Sequence, residues 1–147
     1  MAGLLVLITD INALGLKVAQ GLLLTTSFYW DMDDKTREWS KRYFAKMNKM
    51  PSMWQAGVYS SVMHYLKAIK ATGTDDPLKV AAKMREMPVE DFFARNGHLR
   101  EDNLMVHDLW LVQVKTPEES KYPWDYYKIL ATISGDKAFG PPDQVKK

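Results

Sequence analysis

The chain has 147 residues, 46% of them hydrophobic, with 20 Lys plus Arg against 18 Asp plus Glu, a net charge of +2 and no Cys. That length reads as one globular chain with room for a real core, and the near-balance of charge argues against a nucleic-acid-binding face, which needs clustered basic residues. The lack of Cys excludes disulfides, thiol catalysis and Cys-ligated metals.

From the N-terminus, Leu4 to Ile8 is an apolar run stopped by Thr9-Asp10. It is too short to span a bilayer, which takes about 20 residues, and it lacks the basic start of a signal peptide. The run reads as a buried strand over 4–9, and a chain opening inside a buried strand looks like one that has lost what came before it. A short helix is expected over Ala13–Gln20, broken by Gly21, and a second strand over Leu22–Tyr29. Together these make a βαβ-like unit with parallel strands. Asp31-Met-Asp-Asp34 starts a longer helix, with Lys41, Arg42, Lys46 and Lys49 towards its other end, as the helix dipole favours. Trp39, Tyr43 or Phe44, and Met47 form its apolar stripe, and Pro51 closes the segment.

Residues 53–72 carry the clearest helical period, with Val58, Val62, Tyr65 and Ile69 on one stripe and Tyr59, Met63 and Leu66 beside it. Gly73 is a natural stop. Asp76 and Pro77 suit the cap and first position of the next helix, which ends before Pro88. Asn96-Gly97 marks a turn, 98–101 a short strand and Asp102-Asn103 a second turn. A strand follows over Val106–Lys115, with Leu109, Leu111 and Val114 facing the core. Residues 116–125 are irregular, Tyr126–Ile133 is a last strand, and Gly140-Pro-Pro142 with the basic end forms a tail. This order suits two lobes between which the chain crosses.

The chemistry-bearing residues form no catalytic set. His64, His98 and His107 match no metal spacing, and Glu118-Glu119 reads as a solvated loop pair. There is no nucleophile elbow, phosphate loop or dinucleotide fingerprint. No catalytic residue, metal or cofactor is therefore expected. Binding is better served. Thr9, Asp10 and Asn12 stand at the carboxyl end of the expected parallel strand, where open α/β sheets hold ligands; a helix cap is the equal alternative for Asp10 or Asn12. Phe28-Tyr29-Trp30 are three consecutive rings, and strand alternation keeps all three from entering one core. At least one, with Trp30 the candidate, should face a cleft, a hinge or a partner. Tyr59 lies among small residues at the start of the 53–72 helix, where free N–H groups favour an anion; ordinary helix packing is the alternative.

Several segments carry a family resemblance. Gly15-Leu-Lys-Val-Ala-Gln-Gly-Leu-Leu-Leu-Thr-Thr-Ser-Phe-Tyr-Trp-Asp31, then Thr36-Arg-Glu-Trp-Ser-Lys-Arg-Tyr-Phe-Ala-Lys46, Met50 to Ile69, Asp75 to Met84 and Asn96 to Val114 follow one another in an order and spacing that resemble the type I periplasmic solute-binding proteins of ABC importers. The branched-chain amino acid receptors, of the leucine/isoleucine/valine type, look most similar. The resemblance runs from about residue 4 to about 133 and corresponds to the C-terminal portion of the family's chain. It implies a bilobal α/β fold closing on a ligand, a periplasmic location, and delivery of the ligand to an ABC permease.

On this resemblance, residues 1–26 and 96–133 belong to the second lobe, 31–95 to the first, 27–30 to a crossover and 134–147 to a tail. The ligand implied is a branched-chain or other amino acid, or an aromatic or aliphatic carboxylate, with Asp10 placed to meet an ammonium group. The N-terminal half of the family, which grips much of the amino acid, has no counterpart here. Lone strands at 4–9 and 22–29 would leave apolar edges that invite pairing, which points to a homodimer of the fragment. A sensing or regulatory domain of the same fold, and a fragment with no binding activity of its own, are the alternative readings.

Overall fold

A computed structural model describes residues 1–141. In chain order the elements are α1 (Ile8–Leu14), α2 (Leu16–Ala19), β1 (Leu23–Thr26), α3 (Asp34–Met47), α4 (Met53–Thr72), α5 (Pro77–Glu86), β2 (His98–Leu99), β3 (Met105–Val106), β4 (Leu109–Val114), β5 (Tyr127–Ile133) and α6 (Gly135–Ala138). They divide into two compact units. One joins Met1–Ala56 to Leu109–Ile133; the other joins Gly57–Asp108 to the segment from Ser134 on. Among the described residues no helix is long and apolar enough to cross a membrane.

The first unit is built on a three-stranded sheet ordered β1-β4-β5. The mixed α/β class holds, but these strands pair antiparallel, with Leu24 opposite Val112 and Val112 opposite Ile129. The expected parallel βαβ unit is reduced to an isolated parallel bridge between Ala2 and Leu23, with α1 and α2 between them. In the central strand β4, Trp110, Val112 and Val114 are buried while Leu109 and Leu111 are only half-buried. The core phase is thus opposite to that expected for the two leucines. Leu130 is the extra residue of a bulge in β5, because Leu111 pairs with Ala131 and Val112 with Ile129.

The strand expected over 4–9 is also corrected. Leu4 and Leu5 are 93% and 79% exposed, and helix begins at Ile8. Ile8 and Ile11, three residues apart, supply its buried face. The Asp10 carboxylate accepts the Leu7 N–H at 2.8 Å and so satisfies a free donor at the helix start. Thr9-Asp10, expected to stop a strand, is instead the first turn of α1. The helix expected over 13–20 breaks at Gly15, whose φ of 77° suits glycine.

The second expected strand ends early, at Thr26. Its hydroxyl donates to the Phe28 carbonyl at 2.8 Å and accepts the Phe28 N–H at 3.3 Å, a side-chain turn that leads the backbone out of the sheet. Phe28, Tyr29 and Trp30 are therefore all buried, against the expectation that one would face outward. The alternation rule fails because these residues no longer lie in a strand. α3 starts where acidic residues were expected to start it. Asp33 accepts the Thr36 N–H at 2.8 Å, and Asn48 closes the helix in the left-handed region. Of its stripe, Trp39 is buried, Tyr43 and Phe44 are half-buried, and Met47 is exposed.

In the second unit α4 has the expected bounds and ends at Gly73, with φ 66°. Its inward face is not the expected one. Ala56, Ser60, His64 and Ala68 are buried, whereas Val58, Val62, Tyr65 and Leu66 are 63%, 50%, 43% and 49% exposed. Ser60 donates to Asp91 at 2.6 Å, and the His64 ring meets the Met84 carbonyl at 2.9 Å. A row of small and hydrogen-bonded residues allows the close approach that a stripe of large side chains would block. Asp76 caps α5 by accepting from Leu78 and Lys79. The strand expected over 106–115 splits into β3 and β4. Between them the Asp108 carboxylate accepts the Gly135 N–H at 3.0 Å, and the His107 ring packs between Phe93 and Phe139. The expected tail contains α6; its basic end, 142–147, lies outside the described residues.

Candidate functional site

Three of the expected binding residues share α1. Thr9 is half-buried, Asp10 is exposed and holds the helix start, and the Asn12 side-chain oxygen accepts the Tyr126 hydroxyl at 2.7 Å. They stand on a helix rather than at a strand end. Trp30 lies in the same unit, 7% exposed, its indole N–H donating to the Trp124 carbonyl at 2.9 Å and its ring edge-on to Tyr29 and Tyr122. Tyr59 belongs to the second unit, 37% exposed, with its ring 5.7 Å from Phe92.

The segment before β5, read from sequence only as irregular, supplies a cluster of polar and aromatic side chains in the first unit. Trp124 has φ 69°, a rare conformation for a bulky residue. That backbone turn aims its carbonyl at both the Trp30 indole and the Tyr29 hydroxyl. Asp125, 2% exposed, pairs with Lys115 and accepts from the Tyr29 hydroxyl at 3.4 Å and the Lys121 N–H at 3.0 Å. At the rim, Tyr122 donates to Asp31 at 2.5 Å, and Arg37 pairs with the same carboxylate at 2.9 Å. The run Tyr122-Pro-Trp-Asp-Tyr-Tyr127, with four aromatic rings in six residues, is the sequence signal that marks this cluster.

The phenols here keep their protons. Burial pushes Tyr29 far above the ordinary tyrosine range, and the Asp125 charge adds to it. Burial raises Tyr127 as well, helped by Asp10. The hydrogen bond to Asp31 moves Tyr122 up to about 12. At neutral pH these groups are hydrogen-bond donors and acceptors rather than acids or bases. Tyr127 borders a crevice of about 10 Å³ with Ile8, Thr26, Ser52 and Met53. Its hydroxyl is buried and has no partner among the described residues, so a polar donor is available inside the first unit. No cluster of His, Asp or Glu among the described residues could hold a metal ion. The chemistry on offer is hydrogen bonding and ring packing.

A family profile described as periplasmic binding protein matches residues 1–121. Among solved structures, a periplasmic binding protein from Burkholderia mallei is 53% identical, with TM-score 0.93, covering 97% of this chain and 38% of its own. A branched chain amino acid ABC transporter periplasmic ligand-binding protein from Burkholderia xenovorans LB400 is 46% identical at the same TM-score and coverage. An ABC transporter solute binding protein from Rhodopseudomonas palustris BisB5, in complex with 3,4-dihydroxy benzoic acid, is 17% identical with TM-score 0.74 and shares the fold alone. No curated protein sequence matches. The chain thus spans 38% of the length of the two more similar structures. Its fold is a portion of the type I periplasmic binding protein fold, and the chain belongs to the periplasmic binding protein family.

Proposed function

We propose that these residues serve a periplasmic solute-binding protein that captures a small amino-acid-like or carboxylate ligand for an ABC importer. The observation that carries the reading is the 46% identity, over 97% of this chain, to a protein described as a branched chain amino acid ABC transporter periplasmic ligand-binding protein. In this reading Thr9, Asp10, Asn12, Trp30 and Tyr59 lie towards the ligand, with Asp10 facing its ammonium and Trp30 supporting the site from within. In this reading the chain crosses between the two lobes of the family's fold. The importer's permease receives the ligand.

The test is calorimetry and thermal shift of the 147-residue chain with leucine, isoleucine, valine, phenylalanine and 3,4-dihydroxybenzoate. A ligand at 100 times its Kd should add about 2.7 kcal/mol of stability. Asp10→Asn should weaken an amino acid at least tenfold and leave a ligand without an ammonium unaffected. Absence of both heat and shift with every compound overturns ligand capture by this chain.

A second reading concerns assembly. The exposed apolar stripe of α4 has no acidic residue anywhere in the helix. Contiguous exposed apolar patches larger than those of a typical monomer mark interaction sites. We infer that two copies associate through this stripe about a two-fold axis, which would set it against itself. Sedimentation should give a dimer that Val62→Lys converts to monomer; a monomer at all concentrations rejects it.

A further inference from the structure

The second unit contains a cavity of about 80 Å³, walled by Gly57 and His64 of α4, Met84 of α5, and Phe93, Leu99 and Met105. The polar groups at its wall are already engaged. Ser60 donates to Asp91, and Ser61 to the Val58 carbonyl at 2.9 Å. The His64 ring nitrogen Nε2 faces the Met84 carbonyl and so must carry the proton. Asp91 is held in turn by the Phe93 and Ala94 N–H groups at 2.8 Å. What the cavity presents inward is carbon and sulfur: the Phe93 ring, two Met side chains, Leu99 and Val89.

A buried water needs two to four polar partners, whereas apolar cavities stay dry and take molecules such as benzene or xenon. Met84 and Met105 are flexible and polarizable enough to close around guests of differing shape. Gly57 brings the Phe93 ring against the helix backbone: a Cβ there would lie 3.4 Å from the ring. His64 and Phe93 are 6% and 7% exposed, while Ser61, also on the wall, is solvent-exposed and marks the mouth.

We propose that this cavity is a binding site for a small, uncharged apolar molecule of about three to five heavy atoms, entering past Ser61 and packing between Phe93, Met84 and Met105. The size follows from a volume about half that of an engineered cavity that accepts benzene. This site lies wholly within the second unit and does not depend on the solute-binding reading above.

The test is NMR of the 147-residue chain with labelled methionine methyls, titrated with xenon and with propane. The expected result is saturable shifts at Met84 and Met105, with smaller or linear responses at exposed Met1 and Met47. Leu99→Phe, which fills the space, should weaken binding at least tenfold while keeping a cooperative melt. Should that variant fail to fold, Gly57→Ala, whose added methyl would stand on the cavity wall in ordinary contact with Phe93, should weaken it in the same direction. Non-saturating shifts at Met84 and Met105, or equal affinity in the folded filled variant, overturn the proposal.

Discussion

Asp125 shows what a single buried charge demands. Its side chain is 3% exposed, and it is held by Lys115, the Tyr29 hydroxyl and the Lys121 N–H. Removing one partner of a buried pair leaves the other charge without compensation and costs about 3–5 kcal/mol. Asp125→Asn should therefore lower the melting temperature by ten degrees or more in calorimetry. Tyr127→Phe is the opposite case. Its hydroxyl is buried without a partner, so removing it should leave stability unchanged or raise it by up to about 1 kcal/mol. Tyr122, ordinarily 10.0, is held up to about 12 by Asp31. The folded chain keeps this proton more tightly than the unfolded chain. That contribution is present in full below pH 10 and is lost as pH rises towards 12. Tyr29 and Tyr127 shift in the same direction. Melting temperature should stay level up to about pH 10 and fall above it, as phenolate absorbance appears. A fall beginning at pH 8 would contradict this assignment.

At the scale of elements, helix ends were legible because they depend on neighbours in sequence. Asp33, Asp76 and Gly73 each do at a helix end what their residue type favours. Which face of a helix turns inward was not legible. In α4 the larger apolar stripe points to solvent, and the row Ala56, Ser60, His64, Ala68 is buried. Ala68→Leu should thus overpack the fold and cost about 1–3 kcal/mol. Val58→Lys, on the exposed stripe, should change monomer stability by no more than about 0.5 kcal/mol. Denaturant titrations of both variants decide the orientation; the reverse order of effects would return the stripe to the core. The run at Leu4–Ile8 misled for a related reason. A short apolar run has the same composition in a strand or at a helix start, and only the Asp10–Leu7 contact and the pairing partners of β1 separate the two.

For the whole molecule, the family was legible because the order of segments from Gly15 to Val114 is a property of the chain itself, and residues 1–121 match the periplasmic binding protein family. The absence of a nucleophile elbow or phosphate loop likewise needs no coordinates. The candidate site was less legible. Thr9, Asp10 and Asn12 were chosen for a strand end that is a helix, and Trp30 for an exposure it does not have. The cluster of Tyr29, Trp124, Asp125 and Lys115 joins residues up to 96 positions apart, a proximity that local pattern cannot encode. By itself the sequence determined the limits of α4 and α5, turn positions and family, since these rest on backbone preferences and hydrogen bonds between near neighbours. Tertiary structure alone decided strand direction, the buried face of α4 and the partners of Asp125, since each is set by which distant segment can satisfy a group once it leaves water.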